Sequence, residues 1–448
     1  MVLTLTHNRL NERTDLAAQI GSTPDFANSY LHDKLGRISR ITQTGQTGGN
    51  AVADKRADFT FGSLGYNSGI SRYENLSTSN LVASTTLSYD PFARLVGQSH
   101  VKESTPLGSY SVTYDANRRI DSMTTPDGLG EFDYDGSGQL LEADYNYQSD
   151  EEFTYDLTGN RTMTGYSTGP NNQLLAAGDL EFEYDDEGNR TKQTDTSTGD
   201  YVLYQWDHRN RLTAVTFFDD TDTKTREILY TYDTHNRRIR RQLDANGNGT
   251  IDSAQNIVYD ADWKPGLEDI VLIFDESDDL QHRFLHGPGI DQPLADEQPA
   301  KLHWLLPSQL GTITDVIEYD DGTDTTTNIN HLTYTSFGQI ASQMNSSHEP
   351  YYTYTAREWD GSADLYYYRA RWYDTVVGRF LSEDPIGFAG DNYNYYIYTN
   401  NSPLIYSDPS GLFIGWSYGN YCGYNKKAYS SDCDKSHRLG DLNLSTTV

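Results

Sequence analysis

The segment LEFEYDDEGNR, residues 180–190, carries the pattern that decides the fold. Its first five residues alternate between apolar and acidic side chains, which is typical of a half-buried β-strand. Asp185 follows the strand and can accept a hydrogen bond from the backbone two residues further on. Gly188 tolerates the positive φ of a tight turn. The segment therefore predicts a strand that ends in a hairpin turn.

This pattern recurs along the chain at intervals of 20 to 29 residues. Each copy joins a strand rich in β-branched and aromatic residues to an aromatic–Asp pair, often with Gly or Asn three residues after the Asp. Repeats of this length imply stacked supersecondary units that share a core. We therefore predict an all-β fold of successive hairpins in which nearly all Tyr side chains are structural. The pairs are Tyr89-Asp90, Tyr114-Asp115, Tyr134-Asp135, Tyr155-Asp156, Tyr184-Asp185, Trp206-Asp207, Tyr232-Asp233 and Tyr259-Asp260.

The composition is strongly acidic, with a net charge of -31 from 65 acidic and 34 basic residues. Such a charge repels phosphates, so it argues against nucleic acid as a partner and against an anionic membrane surface. No apolar run reaches the length of about 18 residues that a membrane span needs. The N terminus lacks the apolar core of a secretory signal. We therefore expect the protein to be secreted or displayed at the cell surface by a route that is not visible in this chain.

Residues 366–412 read YYYRARWYDTVVGRFLSEDPIGFAGDNYNYYIYTNNSPLIYSDPSGL and differ from the repeats. They contain two Asp-Pro turns, separated by a run rich in Tyr and Asn. The stretch closely resembles the Rhs repeat-associated core, the C-terminal signature of the Rhs/YD-repeat family, and the preceding units resemble YD repeats. The matching segments of the core are RWYD at 371–374, GRFLS at 378–382, DPIG at 384–387, NNSP at 400–403 and DPSGL at 408–412.

The resemblance implies a long β-sheet that coils into a partial or complete shell, with the Rhs core as a C-terminal plug. It gives four regions. Residues 1–86 are a polar segment with one degenerate repeat, and residues 87–261 are the YD-repeat scaffold. Residues 262–412 are the Rhs core, and residues 413–448 are a short variable tail where the family carries a toxin. The two cysteines of the chain, Cys422 and Cys433, lie in this tail and are a candidate local disulfide.

The resemblance also assigns a reaction to the two Asp-Pro turns. Two carboxylates brought close together share a proton, because ionising both is costly, and so provide an acid and a base at one site. In Rhs proteins a similar pair of motifs marks self-cleavage, which implies Asp384 and Asp408 as the acid/base pair and a cut between Leu412 and Phe413. Arg379 is a candidate to steady a carboxylate. The alternative is two turns without chemistry, since Asp-Pro-x-Gly is a turn sequence in its own right.

The loop DANGNGTID, residues 244–252, matches the first nine positions of a calcium-binding loop. Hard cations bind several oxygens on one tight loop, and this spacing supplies them. However, Gln255 stands where the motif ends in Glu, and the alternative is an Asn-Gly hairpin turn without a metal. No cofactor is expected to be required, and calcium is the one candidate. Its ligands would be Asp244, Asn246, Asn248, Thr250 and Asp252.

Two functions fit these patterns. The first is an Rhs/YD-repeat scaffold that encapsulates or presents its C-terminal effector segment, in intercellular competition or surface display. Its sole reaction would be aspartyl-type self-cleavage in cis, with no independent substrate turnover. Its partners would be its own C-terminal segment and either upstream repeats or a partner shell protein. The alternative is a cell-surface or cell-wall-associated carbohydrate-binding or adhesion protein that is not cleaved and binds through exposed Tyr and Trp.

Overall fold

The fold is all-β, as the sequence predicts. In the part of the chain that the structure describes, strands and short 3₁₀ turns are present and α-helices are absent. That part also holds no helix of the length and apolarity needed to cross a membrane. The structure is a computed structural model and describes residues 1–77, 79–260, 268–299, 301–387 and 393–416.

The first 13 strands form one antiparallel sheet in which every strand pairs with the next along the chain. This order is what a series of hairpins produces. The strands are β1 Val2–His7, β2 Arg13–Ile20, β3 Thr23–His32, β4 Ile38–Gly45, β5 Lys55–Phe61, β6 Asn67–Tyr73, β7 Leu81–Tyr89, β8 Leu95–Lys102, β9 Thr105–Tyr114, β10 Ile120–Thr124, β11 Leu129–Tyr134, β12 Leu140–Tyr145 and β13 Glu151–Glu152.

The next 16 strands form a second sheet with the same consecutive, antiparallel order. They are β14 Ser167–Thr168, β15 Leu174–Ala177, β16 Leu180–Tyr184, β17 Arg190–Asp195, β18 Tyr201–Trp206, β19 Leu212–Phe218, β20 Lys224–Tyr232, β21 Arg238–Asp244, β22 Ser253–Tyr259, β23 Ile270–Phe274, β24 Leu280–His286, β25 Pro293–Gln298, β26 Lys301–Pro307, β27 Ile313–Asp320, β28 Thr325–Tyr334 and β29 Ile340–Gln343.

The C-terminal residues form two small sheets and several 3₁₀ turns. One sheet has four strands and the other is a two-stranded hairpin. The strands are β30 Glu358–Asp360, β31 Leu365–Tyr368, β32 Arg371–Asp374, β33 Arg379–Phe380, β34 Tyr406–Ser407 and β35 Gly415–Trp416. The described 3₁₀ turns of this region are Ser346–His348, Tyr354–Ala356 and Thr399–Asn401, and one more, Pro170–Asn172, lies between β14 and β15.

The hydrogen bond predicted between the Asp and the backbone two residues on is present at Asp90, whose Oδ1 accepts from the Phe92 N–H over 2.9 Å. The Asp185 turn is closed by other bonds. Gly188 N–H donates to the Asp185 carbonyl oxygen over 3.1 Å, and Asn189 N–H donates to Asp185 Oδ1 over 2.8 Å. Gly188 has a φ of 81°, a conformation that an L side chain rarely adopts. Strands β16 and β17 flank this turn as an antiparallel pair. The Asp, the Gly and the strand pattern therefore act together as a hairpin unit.

The sequence pattern did not predict an ion pair within five of the turns, or two kinds of contact that join neighbouring repeats. At five turns, an Arg four residues after the Asp donates from Nε to the Asp carboxylate over 2.7 Å. The guanidinium of Arg119 also lies 4.9 Å from the ring centre of Tyr134 in the following repeat. The Tyr114 hydroxyl donates to the Leu95 carbonyl oxygen in the preceding repeat over 2.7 Å. These contacts stabilise the stacking of successive hairpins. The five pairs are Asp33–Arg37, Asp90–Arg94, Asp115–Arg119, Asp207–Arg211 and Asp233–Arg237.

The two large sheets pack against each other, and the C-terminal residues pack against both. Phe59 of the first sheet and Trp304 of the second lie in one buried cluster. Trp372 of the four-stranded sheet is buried with Ile228 of the second sheet, and Leu404 is buried in a cluster formed mainly by the first sheet. Each large sheet keeps two separate edge strands and is not closed on itself. The fold is thus a partial shell with a C-terminal plug.

The breaks between the sheets fall at other places than the divisions inferred from the sequence. The first sheet ends at Glu152, inside the region 87–261 that the sequence assigned to the scaffold. The second sheet continues to Gln343, inside the predicted core region 262–412. Residues 1–86, where the sequence indicates one repeat, contain six complete strands, because backbone pairing does not require the Tyr-Asp signature.

A histidine links the two large sheets through carboxylates on both sides of its ring. On β28, His331 Nδ1 lies 2.6 Å from Asp315 Oδ1, and His331 Nε2 lies 3.0 Å from Asp127 Oδ1 on the first sheet. The hydrogen bonds to Asp127 and Asp315 raise the pKa of His331 to about 10. Because the folded pKa is raised, this stabilisation is complete below the unfolded value near 6.5 and is lost as the pH rises through about 10.

We expect His331→Asn to lower the free energy of unfolding by about 2 kcal/mol at about pH 6 and to have little effect at about pH 11. The figure is smaller than the full pKa shift implies, because partial exposure screens these ion pairs. Urea unfolding at both pH values measures it. His235→Asn is the matched control, since the His235 side chain is 73% exposed. An equal loss at both pH values would contradict the proposed charge link.

Candidate functional site

The second Asp-Pro turn is the tip of the C-terminal hairpin formed by β34 and β35. Asp408 is buried and its Oδ1 accepts hydrogen bonds from the backbone N–H groups of Leu412 and Phe413, both over 3.1 Å. Gly411 has a φ of 69°, and a Cβ there would lie 2.3 Å from the Tyr368 carbonyl oxygen. The turn therefore requires glycine. It places a carboxyl group against the nitrogen of the peptide bond for which the sequence predicts cleavage.

The first Asp-Pro turn is built in the same way. Asp384 Oδ1 accepts a hydrogen bond from the Ile386 N–H over 3.0 Å, and Gly387 N–H donates to the Asp384 carbonyl oxygen over 2.9 Å. Gly387 has a φ of 56°. One oxygen of each Asp is thus used by its own turn, and the other oxygen is left to make contacts elsewhere.

Arg371 on β32 brings the two turns together. Its Nη2 lies 3.1 Å from Asp384 Oδ2 and 3.4 Å from Asp408 Oδ2. One nitrogen atom therefore contacts both carboxyl groups, so the two acids that the sequence singled out share one site. Arg371 was not predicted as a residue of this site. The sequence feature that could have indicated this residue is its place at the start of the RWYD segment, two residues after Arg369.

The rest of the Arg371 side chain is fixed by its surroundings. Its Nε donates to the Gly411 carbonyl oxygen, its Nη1 donates to the Tyr395 carbonyl oxygen over 2.8 Å, and its Cζ lies 3.7 Å from the ring centre of Phe380. The side chain is 4% exposed. A buried guanidinium with this many partners holds the two carboxyl groups in defined positions.

The electrostatics of the site favour retention of a proton. Burial raises the pKa of Asp408, Arg371 and the backbone N–H groups of Phe413 and Leu412 oppose this rise, and the Asp384 charge adds a small increase. Burial also raises the pKa of Asp384, again against Arg371. Burial lowers the pKa of Arg371, and the two carboxylates counteract that effect. One positive charge against two acids leaves the site close to neutral when one acid is protonated and the other ionised, which is the state that acid/base chemistry needs.

A cluster of buried aromatic side chains packs against the site at Arg371. The Tyr368 and Tyr398 rings are fully buried, their centres are 5.4 Å apart, and the Tyr368 hydroxyl donates to the Tyr398 hydroxyl over 3.2 Å. Phe380, which packs on Arg371, belongs to the same cluster. The Tyr residues that the sequence assigned to packing are therefore core residues here. The cluster comprises Tyr354, Tyr366, Tyr368, Tyr373, Phe380 and Tyr398.

Three successive repeat turns hold the segment between the two Asp-Pro motifs. These turns carry an amide, Gln139, Asn160 or Asn189, at the position where five other turns carry the Arg that pairs with Asp. Asn401 Nδ2 donates to Gln139 Oε1 over 2.9 Å, and Asn394 Nδ2 donates to Asn160 Oδ1 over 2.7 Å. The short amides leave space that a guanidinium would fill. The loss of Arg in three consecutive repeats was the sequence signal for this docking surface.

Arg379 has a different role from the one considered in the sequence analysis. Its Nη2 donates to Asn394 Oδ1 over 3.0 Å and to the Asn172 carbonyl oxygen over 2.7 Å, and its Nη1 donates to Asn160 Oδ1 over 3.1 Å. Each of these partners is an amide or carbonyl oxygen. Arg379 thus fixes the intermediate segment on the repeat turns, and Arg371 is the residue that contacts the carboxyl groups.

The predicted calcium loop, residues 244–252, joins β21 to β22, and its side-chain oxygens bind its own backbone. Asp244 Oδ1 accepts from the Asn248 N–H over 3.1 Å, and Asp252 Oδ2 accepts from the Ala245 N–H over 2.7 Å. Lys224 Nζ lies 3.0 Å from Asp244 Oδ2, where a cation would compete with it. Calcium binding by Asp244, Asp252 and the intervening ligands stays a prediction.

Comparison with known proteins relates most of the chain to one family. The model of the Teneurin YD-shell family matches residues 29–404. The tRNA3(Ser)-specific nuclease WapA of Bacillus spizizenii is 30% identical over 307 residues, which covers 65% of this chain and 12% of that protein. Toxin subunit YenC1 of Yersinia entomophaga is 24% identical over 354 residues, which covers 75% of this chain and 34% of that protein.

The fold also resembles that of a solved complex. The crystal structure of TcdB2-TccC3-Cdc42 matches with a TM-score of 0.60 and 17% identity, covering 91% of this chain and 23% of that chain. At this identity the likeness concerns the fold alone. The present chain spans 34% or less of these three relatives.

Proposed function

Because the chain belongs to the Teneurin YD-shell family, we propose that it is a shell scaffold that encloses or presents its own C-terminal segment and cleaves itself after Leu412. The observation that carries this proposal is the convergence of Asp384 and Asp408 on one nitrogen of Arg371, beside the peptide nitrogen of Phe413. Two isolated turns would not need a shared, buried guanidinium.

The reaction proposed is hydrolysis of the Leu412–Phe413 peptide bond in a single turnover. Ionised Asp384 accepts a proton from the attacking water, whose oxygen bonds to the Leu412 carbonyl carbon. Protonated Asp408 donates its proton to the Phe413 nitrogen as the C–N bond breaks. The products are a carboxyl group at Leu412 and an amine at Phe413. At the end of the reaction Asp384 is protonated and Asp408 is ionised. No metal or cofactor enters this scheme.

The biological role that we propose is delivery or display of the C-terminal segment. Relatives named as a tRNA nuclease and as a toxin subunit support a toxin-type role, with the shell as carrier. A chain that spans 34% or less of its relatives fits a shell completed by further repeats or by a partner protein. A solved complex that contains TcdB2 and TccC3 together supports completion of the shell by a partner protein. Secretion or surface display follows from the same role.

We expect the purified wild-type chain to separate into two pieces on a denaturing gel but to elute as one species under native conditions. Asp408→Asn should abolish the separation, because an amide cannot donate the required proton, and Asp384→Asn should slow it by at least about 100-fold. Denaturing electrophoresis over time measures both effects.

Asp90→Asn is the matched control, since Asp90 is the first residue of a repeat turn and its Oδ1 also accepts hydrogen bonds from two backbone N–H groups, those of Phe92 and Arg94. Its cleavage should equal that of the wild type. Continued cleavage in Asp408→Asn would contradict the assigned chemistry. An uncut wild-type chain that binds glycans would instead support the adhesion function.

A further inference from the structure

Two histidines and a glutamate meet on the second sheet, away from the Asp-Pro turns. His303 is buried on β26, Glu318 lies on β27, and His348 ends the 3₁₀ turn Ser346–His348. One ligand atom from each of the three lies within 4.8 Å of the others, and His303 Nε2 is 3.0 Å from Glu318 Oε1. The His303 and His348 rings meet edge to face, with centres 5.5 Å apart.

The arrangement is set by the sheet register. Trp304 pairs with Ile317 across β26 and β27, so His303 and Glu318 are neighbours one position further along. His348 reaches them from the segment that follows the last strand of the second sheet. Two strand residues and one turn residue therefore converge from separate parts of the chain.

We propose that His303, Glu318 and His348 bind one Zn²⁺ ion, with water at the fourth position. Two imidazoles and one carboxylate are a ligand set that zinc binds in proteins. Zinc–ligand bonds of about 2.0–2.2 Å place tetrahedral ligand atoms about 3.3–3.5 Å apart, so small side-chain rotations complete the site. Glu318 is 38% exposed, which leaves a path for water and for entry of the ion.

Polar groups around the triad suit a bound cation. Gln298 Nε2 lies 3.5 Å from His303 Nδ1 and also donates to Asp296 Oδ2 over 2.9 Å. Gln298 thus orients the His303 ring through Nδ1, and a metal bound at Nε2 would replace the proton that Nε2 shares with Glu318.

The ion would serve as a clamp between the shell and the C-terminal plug. The Ser346–His348 turn stands between β29, the last strand of the second sheet, and β30, the first strand of the C-terminal sheet. Its Asn345 side chain accepts a hydrogen bond from the Ser347 N–H, and the Asn330 side chain donates to the His348 carbonyl oxygen. A metal bond from His348 to the two strands would fix this connection much more firmly than these hydrogen bonds alone.

Isothermal titration of the metal-free, full-length protein with Zn²⁺ tests the proposal. We expect one ion per chain for the wild type and a loss of affinity of about 100-fold or more in His348→Ala and in Glu318→Gln. Thermal unfolding should show a rise in Tm with Zn²⁺ in the wild type and none in His348→Ala. Both variants alter partly exposed side chains, and their unfolding curves without metal show whether they fold.

Two controls separate this site from other zinc ligands of the chain. His235→Ala removes an exposed histidine and should bind Zn²⁺ like the wild type. The double variant Cys422→Ser, Cys433→Ser removes the thiols of the tail and should also retain binding. Wild-type affinity in His348→Ala, or loss of binding in the cysteine variant alone, would overturn the assignment.

Discussion

Replacing Arg371 by Met is expected to lower the free energy of unfolding by about 3–5 kcal/mol at neutral pH, because it leaves two buried acids without their shared cation. The Arg371 side chain is 4% exposed and contacts Asp384 and Asp408 through one nitrogen. Met has a similar length and fills most of the same volume, so loss of charge dominates over loss of packing. Urea unfolding monitored by Trp fluorescence measures the change.

The destabilisation caused by Arg371→Met should increase as the pH rises. Burial raises the pKa of both Asp384 and Asp408 in the folded wild type. Groups of this kind contribute stability that is complete below the unfolded pKa and is lost as the pH rises through the folded value. Arg371→Met raises both folded pKa values further. The variant should therefore be nearly as stable as the wild type at about pH 4 and fall progressively behind as the pH approaches neutrality.

Arg94→Met is the matched control for Arg371→Met. Arg94 also pairs with an aspartate, Asp90, but the two side chains are 26% and 14% exposed. Solvent screens such a pair, and we expect a loss of at most about 1 kcal/mol. Equal losses in the two variants, or a loss in Arg371→Met that does not change with pH, would show that Arg371 acts through packing and not through its charge.

Replacing Asp25 by Asn is expected to lower the free energy of unfolding by about 3 kcal/mol, because it breaks a buried ion-pair network between the two large sheets. Asp25 on β3 is 0% exposed, and its Oδ1 lies 2.8 Å from Arg283 Nη2 on β24. Arg283 Nη1 contacts Glu297 over 2.6 Å, and Glu297 in turn contacts Lys55 of the first sheet. Two cations face two anions, so removal of one anion leaves a buried positive charge.

Asp324→Asn is the control for Asp25→Asn, because it removes an exposed ion pair between the same two large sheets. Asp324 pairs with Lys102 across the sheets over 2.7 Å, but the Asp324 side chain is 58% exposed. We expect little or no loss of stability, because water replaces the lost partner of this exposed group. Chemical denaturation of both variants measures the contrast. If both variants lose only a little unfolding free energy, the two large sheets are held together by their apolar contacts and not by the Asp25 network.

The local structure of the repeats could be predicted because each hairpin is specified by adjacent residues. Asp185, Gly188 and the alternating strand before them are enough to define the turn and its register. The sequence pattern was weaker before residue 87, where strands pair through their backbones without the Tyr-Asp signature. The places where one sheet ends and the next begins also had no local signal, since they depend on how distant strands pack.

The candidate site could be predicted only in part. The Asp-Pro motifs pointed to Asp384 and Asp408, and the resemblance to the Rhs core supplied the idea that they act together. Arg371 lies in a strand, and its contact with both acids depends on tertiary packing that local patterns do not contain. The docking of Asn394 and Asn401 on the amide-bearing turns likewise joins residues more than 200 positions apart.

Intact-mass spectrometry of the purified, denatured wild-type chain tests the central claim most directly. If Asp384 and Asp408 form a cleavage site at the hairpin tip, the spectrum contains two species whose masses match residues 1–412 and 413–448. A single species at the 50.6 kDa of the uncut chain would contradict the account. Two fragments produced by cleavage of any other peptide bond would also contradict it.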